Sequence, residues 1–414
     1  MKKRSAISIV RIAKRARSKR VRKKRAMSKM EYPLEGIKVL DFSRVVAGPF
    51  ATRLMADLGA DVVKVEPPEG DGTRIHGKKI KGISGMFNQQ NAGKRNICLD
   101  LRHPNAVELV KDLAKSADVV VENYRPGVMQ RLGIDYSVLS DANPSLIMLS
   151  ISGYGHDSPE AHRPSYAPVV HAEVGLMHRM AQRNGTPPGD LSLSVADTNA
   201  SLHGLIAVLA ALNMRHQTGR GQHIDMSMMD ATFATDDRSH FEMEDSPDTL
   251  PVCPIVELPF GTVFIASDMK LMFKKLQKHF DLVDPTPDDA DLETKVSLRN
   301  SAIVDRLCQC QTEAEFDALM DVIDIPWGLV RDPRELESRA TLRHRKRIVE
   351  IDDRDGGTRP IADSPYIFSN AKSGVRLPAS HQGEHNREIL SEWLGLSKAE
   401  VDELSQSILL PVKD

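Results

Sequence analysis

The chain has 414 residues and a mass of 45.9 kDa, enough for two or three domains at roughly 150 residues each. Apolar residues make up 41% and charged residues 27%, and the most apolar stretch, Leu202 to Met214, is shorter than the roughly 20 residues of a membrane span. Four cysteines, Cys98, Cys253, Cys308 and Cys310, do not make a disulfide scaffold in so long a chain, so composition argues against a membrane protein, a disordered chain, a collagen-like chain and a small secreted module.

The net charge of −1 hides an asymmetry. Residues 1–30 hold 14 Lys or Arg and no acid, leaving a body of 42 basic and 57 acidic residues with a formal charge of −15. A block of like charge reads as a solvated, disordered tail. It could also hold nucleic-acid phosphates, but it has no aromatic residue to stack on bases, and nucleic acid is not an expected partner. An Arg-rich, acid-free segment further resembles a transit peptide, and Met27 or Met30 offers a second start. No apolar run follows the charges, as a secretory signal requires. The expected location is cytoplasmic, or mitochondrial if residues 1–30 are a transit peptide.

From residue 37, strand-like and helix-like segments alternate. Ile37 to Phe42 reads as a short strand, followed by a helix from Phe50 to Leu58 opened by Pro49 and closed by Gly59. Val62 to Glu66, Asn96 to Leu101, Asp118 to Glu122 and Leu146 to Ser152 read as further strands. Between them, Asn105 to Ser116 carries Val107, Val110 and Leu113 on one helical stripe. Such alternation predicts an α/β fold with a mostly parallel sheet covered on both faces. Ligands then bind beyond the carboxyl ends of the strands. A long helix is expected from Thr198 to His216, its Leu202, Leu205, Ile206, Leu209 and Leu212 stripe facing the core. Residues 236–291 lack a clean period and look like a linker entering a second, smaller domain. Ala314 to Val322 reads as an amphipathic helix with Thr312 and Glu315 spaced as a capping box, and Lys398 to Ile408 as another. The expected layout is a basic tail at 1–30, a large domain at 31–235, a linker and small domain at 236–345, and a final segment at 346–414.

Motifs narrow the chemistry. There is no Walker A loop and no G-x-G-x-x-G after a strand, and no G-x-S-x-G elbow. His381-Gln-Gly-Glu-His385 matches a zinc pattern, but Gly383 at its centre argues for a turn into a helix, and no metal is expected. Cys308-Gln-Cys310 lacks the second pair of a metal site. The cations near strand ends are more informative. Arg44, Lys94, Arg95, Arg102, Arg125 and Arg131 flank the predicted strands, and such side chains facing one crevice suit a multiply phosphorylated ligand.

The same segments resemble the class III CoA-transferases, the family of formyl-CoA and carnitine CoA-transferases and the related α-methylacyl-CoA racemases. The resemblance is carried by Pro33-Leu-Glu-Gly-Ile-Lys-Val-Leu-Asp-Phe-Ser-Arg-Val-Val-Ala-Gly-Pro49, Leu58-Gly-Ala-Asp-Val-Val-Lys-Val-Glu-Pro67, Lys94-Arg95, Val121-Glu-Asn-Tyr-Arg-Pro-Gly127, Asn143-Pro-Ser-Leu-Ile147, Thr218-Gly-Arg-Gly-Gln-His-Ile-Asp225 and Gly383-Glu-His385. It implies a Rossmann-like large domain joined to a smaller α+β domain, with the last segment returning to the large domain. It also implies two subunits interlocked as a homodimer. By matching position, CoA would touch Val46, Ala47, Leu99, Asp100, Leu101, Arg102, Asn123, Tyr124, Arg125 and Arg131. The implied activity transfers CoA from an acyl-CoA thioester to a carboxylic acid, with CoA as substrate and no separate cofactor.

The chain departs from that family where the chemistry sits. A transferase of this kind uses an aspartate as nucleophile, and here Ser165-Tyr-Ala-Pro-Val-Val-His171 places Ala167 or Pro168 at the aspartate's position. The mobile glycine run of many such transferases is reduced to Gly261. His171, one turn after Ala167, could act as a base. Glu173 lies about 240° round the helix from residue 167 and should face elsewhere, and Asp190 reaches the site only if its loop folds back. Two other functions therefore compete with CoA transfer: an acyl-CoA racemase or isomerase working by proton transfer, and a CoA-binding paralogue without turnover.

Overall fold

The computed structural model describes residues 30–250 and 253–407. The basic tail as far as residue 29 lies outside the described residues. The chain divides into two compact units, one made of residues up to 236 together with those from 346 onward, the other of residues 237–345.

The first unit is built on six parallel strands: β1 (Lys38–Asp41), β2 (Asp61–Glu66), β3 (Arg95–Cys98), β4 (Val119–Glu122), β5 (Ile147–Ser152) and β6 (His223–Ser227). They lie in the order β3-β2-β1-β4-β5-β6, each neighbouring pair parallel. The chain moves outward from β1 in one direction and then from β4 in the other, so the order reverses between β1 and β4. Crevices at such a reversal are where doubly wound sheets bind ligands.

Strands β4 and β5 are largely apolar runs because both faces are covered. Leu40, Val63, Val65, Ile97, Val120 and Met148 point to one face, against α2 (Pro104–Ser116) and α10 (Asn386–Leu394). Ile389, Leu390 and Trp393 of α10 lie in that cluster. Val39, Val62, Val119, Val121, Ile147, Leu149 and Ile151 point to the other face, against α1 (Ala47–Asp57), α5 (Val195–Thr218), which follows the short α4 (Leu176–Asn184), and α6 (Met228–Ala234). The alternation is the two-residue side-chain period of a strand.

The expected strands β1 to β5 are all present, their ends shifted by a few residues at most. β6 was not anticipated. It is an edge strand whose residues His223 to Met226 are partly exposed, so the sequence carries no apolar run to mark it.

Helix α5 corrects the expected core stripe. Leu205 is buried, but Leu202, Ile206 and Leu209 are 40%, 62% and 38% exposed. The face against the sheet is made instead of Ala196, Ala200, Ser201, Gly204, Val208 and Ala211. A Cβ at Gly204 would stand 2.9 Å from Leu149 Cδ2, so the backbone approaches the sheet too closely for large side chains. The leucines are left on the opposite face. By length and composition alone α5 would suffice to cross a membrane, although its small-residue face packs in this core.

The second unit holds an antiparallel sheet of β7 (Ile255–Leu258), β8 (Gly261–Ile265) and β9 (Trp327–Leu329), with β8 in the middle. Helices α7 (Met269–Phe280), α8 (Leu292–Leu307) and α9 (Glu313–Ile323) pack on it through Met272, Leu276, Ile303, Leu307 and Phe316. Thr312 caps α9 by accepting from the Glu315 N–H at 3.2 Å. The Glu315 carboxylate reaches back to the Gln311 N–H, one residue before the cap, at 2.7 Å.

Candidate active site

The site begins at the turn after β1. Asp41 closes the strand, fully buried, and accepts from the Ser43 N–H at 3.0 Å and the Thr52 hydroxyl at 2.6 Å. Burial opposes its charge, but Lys94 and Lys64 hold its carboxyl below the usual range. Lys64 donates to the Ser43 carbonyl at 2.7 Å. Asn123, beyond β4, binds both backbone groups of Arg44, accepting from its N–H at 2.7 Å and donating to its carbonyl at 2.8 Å. These bonds hold the loop in a shape that costs energy, because Val45 has φ 67°. A β-branched residue in that region is strained, and surroundings must over-determine it.

The Val45 loop walls a cavity of about 300 Å³. The loop after β4 adds Asn123, Tyr124 and Arg125, and the end of β5 adds Ser152 and Gly153. Ser165, Tyr166, Asp197 and Met228 close it. It thus sits at the strand-order reversal. Gly153 is required there, since a Cβ would lie 2.4 Å from Ser165 Cβ. The Arg44 guanidinium lies 4.9 Å above the Tyr124 ring. Among the described residues, its Nε and the Ser165 hydroxyl are buried without a hydrogen-bond partner. Buried polar atoms are normally satisfied, and both of these belong to residues that line the cavity.

The expected ligand contacts divide. Ala47, Asn123, Tyr124 and Arg125 line the cavity. Val46 is buried beside it at the start of α1. Leu99, Asp100, Leu101 and Arg102 follow β3 at the same carboxyl edge of the sheet, two strands beyond β1. There Arg102 pairs with Asp100 at 2.7 Å and Glu69 at 3.1 Å. Arg131 is exposed on the short helix Val128–Leu132.

Two cations named from the sequence do not join the crevice. Lys94 is buried, donating to Asp41 at 2.9 Å, the Pro49 carbonyl at 3.0 Å and Asn91 at 2.8 Å. Burial pushes its ammonium down to about 8 against the pull of Asp41. Arg95 begins β3 and so stands at the opposite, amino end of the sheet, bound to Asp61 at 2.7 Å, Glu388 at 2.8 Å and Glu392 at 2.7 Å.

The helix after β5, α3 (Ala167–Glu173), opens on Ala167, which is buried and carries no reactive group. His171 is buried and does not face the cavity. Its Nε2 accepts from the Ala196 N–H at 3.1 Å, and its Nδ1 lies 3.1 Å from Asp190 Oδ1. Accepting at Nε2 requires the proton on Nδ1, which donates to Asp190. Both nitrogens are committed, and the imidazole has no lone pair to offer as a base. Its role is to cap α5, because Ser194 at the cap position makes no side-chain cap bond. The Asp190 loop does fold back, but onto His171. Glu173 faces away, binding Arg163 at 2.5 Å. Arg163 also pairs with Glu160, which neutralises it at the cavity rim.

Asp197 was not singled out from the sequence. It lies in the first turn of α5, where an acid looks like an ordinary complement to the helix dipole. It lines the cavity, and burial alone pushes its carboxyl up to about 6.

A second cavity of about 260 Å³ adjoins Arg125 and is lined by Glu122, Tyr136, Ser150, His156 and His223. Glu122, 1% exposed, accepts from the Tyr124 N–H at 2.7 Å. Burial pushes its carboxyl up to about 7, with Ser150 and the Tyr124 N–H opposing. His223 lies 2.9 Å from the Ser150 hydroxyl and stacks on Tyr136 at 5.3 Å. Among the described residues no group of three His, Cys, Asp or Glu could hold a metal ion. His381 to His385 forms a turn into α10, with Gly383 at φ 74°.

The sequence pattern of CoA-transferase family III matches residues 34–386. The beta subunit of succinyl-CoA–L-malate CoA-transferase from Chloroflexus aurantiacus is 31% identical over 391 residues, 90% of this chain and 96% of that protein. Formyl-CoA:oxalate CoA-transferase of Rhodopseudomonas palustris is 30% identical, covering 91% of this chain and 97% of its own length. Among solved structures, a CAIB/BAIF family protein from Brucella suis superposes with a TM-score of 0.76 at 28% identity, over 88% of this chain and all of that one. The chain belongs to the family III CoA-transferases.

Proposed function

We propose that the protein transfers CoA from an acyl-CoA thioester to a carboxylic acid at the cavity between β1 and β4, and that the acids it handles are short dicarboxylates. The observation that carries this reading is the pairing of Arg44 and Arg125 with the unsatisfied Arg44 Nε and Ser165 hydroxyl in one cavity wall. Guanidinium groups suit carboxylates and phosphates, and the relatives above are named for malate and oxalate. The nucleotide end of CoA would lie along the same carboxyl edge, towards Leu99 to Arg102 and Arg131. Its acyl end would enter past Tyr124 and Tyr166.

Two copies of the chain would interlock as a homodimer, and the exposed apolar stripe of α5 supports this. Leu202, Ile206 and Leu209 on one helix face form the kind of surface a second chain covers. Proton transfer is the weaker reading, since His171 lacks a free nitrogen.

The test is a transfer assay with succinyl-CoA or acetyl-CoA as donor and malate, glutarate or oxalate as acceptor, read by appearance of the new thioester. Transfer to at least one dicarboxylate is expected. Binding of CoA without transfer to any acceptor would defeat the transferase reading.

A further inference from the structure

We infer that Asp197 is the nucleophilic carboxylate of this transferase, supplying from the start of α5 the group that Ala167 lacks at the start of α3. The inference rests on the reading of the cavity as the acyl-CoA site, and four observations carry it beyond that reading.

Moving CoA between two carboxylates needs a carrier that holds the thioester at nearly unchanged free energy. A third carboxylate does so, and a hydroxyl or imidazole does not. Among the described residues lining the cavity, Asp197 is the one acid. Its carboxylate makes no hydrogen bond or ion pair with the described residues, whereas Asp41 is engaged by Lys94, Asp71 by Lys64 and Glu173 by Arg163. A carboxylate left without a partner in a half-buried position is costly unless a ligand or a reaction uses it.

The backbone around Asp197 is fixed on both sides. The neighbouring Ala196 N–H is held by His171 at 3.1 Å. The Asp197 carbonyl accepts from the Ser201 hydroxyl at 2.7 Å, and that hydroxyl also reaches the carbonyl of Ala47 in the cavity wall. Reactive groups require such support from rigid elements. The raised pKa is consistent with the role: a carboxylate near 6 stays ionised at neutral pH and is more basic than an ordinary aspartate.

The steps balance without an outside reagent. Asp197 Oδ attacks the acyl carbon, the C–S bond breaks, and CoA leaves as the thiolate. The thiolate attacks Cγ of Asp197 in the mixed anhydride, the bond from Cγ to the bridging oxygen breaks, and the donor acid leaves with that oxygen as a carboxylate. The acceptor carboxylate then attacks the enzyme thioester, and the thiolate returns to the acceptor's carbonyl, freeing Asp197. No proton is gained or lost, so a site whose histidine is committed elsewhere can run it.

The experiment incubates the full-length protein with succinyl-CoA, acetyl-CoA or glutaryl-CoA, quenches with borohydride, and maps the peptides by mass. Reduction of an aspartyl thioester gives homoserine, and the expected position is 197. In parallel, Asp197→Asn should lower transfer by about 10³-fold or more while CoA binds it within about twofold of the native protein by calorimetry, which also reports that the variant folds. Modification of a different carboxylate, or near-native transfer by Asp197→Asn, overturns the inference and leaves the cavity reading intact. Failure of the native protein to bind any of the thioesters would instead remove the cavity reading.

Discussion

The two ends of the same parallel sheet carry arginines with opposite fates. At the amino end, Arg95 is clamped by Asp61, Glu388 and Glu392, three carboxylates within 2.8 Å. At the carboxyl end, Arg44 stacks on Tyr124, and its Nε has no partner among the described residues. Residue type is the same, and sequence position suggests the same role. What separates them is compensation. A guanidinium already surrounded by carboxylates ties helices to strands, whereas one left uncompensated at a strand-order reversal is available to an anionic ligand.

The contrast can be broken by exchanging the losses. Replacing Arg44 and Arg125 together by Met should raise KM for an acyl-CoA by about 10²-fold, at roughly 1–2 kcal/mol per charge-assisted contact, with little change in the melting temperature. Steady-state kinetics beside thermal unfolding would check both halves, and an unchanged KM would remove the carboxyl edge from substrate binding.

Glu122, in the wall of the second cavity, sharpens the picture through pH. Its folded carboxyl is raised from 4.5 to about 7, chiefly by burial, so between those values the native state binds more protons than the unfolded one. Its contribution is fully present below pH 4.5 and is lost as pH rises through 7, with a swing of roughly 3–4 kcal/mol. Denaturant titrations of Glu122→Gln across that window should be flatter than those of the native protein. Parallel curves would show that the carboxyl is not protonated in the fold.

His171→Ala should cost roughly 2 kcal/mol, because it leaves the buried Ala196 N–H unsatisfied and opens a void. It should also lower kcat more than it raises KM, by loosening the turn that carries Asp197. A loss of stability with kcat untouched would separate the cap from the chemistry. Arg95→Met belongs at the small end: a loss of about 1 kcal/mol, with KM and kcat unchanged.

The parallel sheet was legible because its strands are buried on both faces and its inner ones appear as largely apolar runs, as in Val119–Glu122 and Ile147–Ser152. The stripe of α5 was misjudged for a physical reason. Periodicity names the apolar side of a helix, but Gly204 and its alanine neighbours let the backbone approach the sheet, and the leucines were turned outward. The site was legible only in its scaffold. Asn123, Tyr124 and Arg125 reach the cavity, but Lys94 was spent on Asp41 through a contact 53 positions away. Nor could spacing distinguish Asp197 from any acid in a first helical turn. Its significance is the absence of a partner, which only tertiary packing reveals.

The most direct measurement is the crystal structure with succinyl-CoA bound. The account predicts the acyl group inside the cavity between Tyr124 and Tyr166, its carboxylate on Arg44 or Arg125, and the thioester carbon within about 3–3.5 Å of Asp197. A thioester seated away from the β1–β4 reversal, with that cavity still filled by solvent, would contradict it.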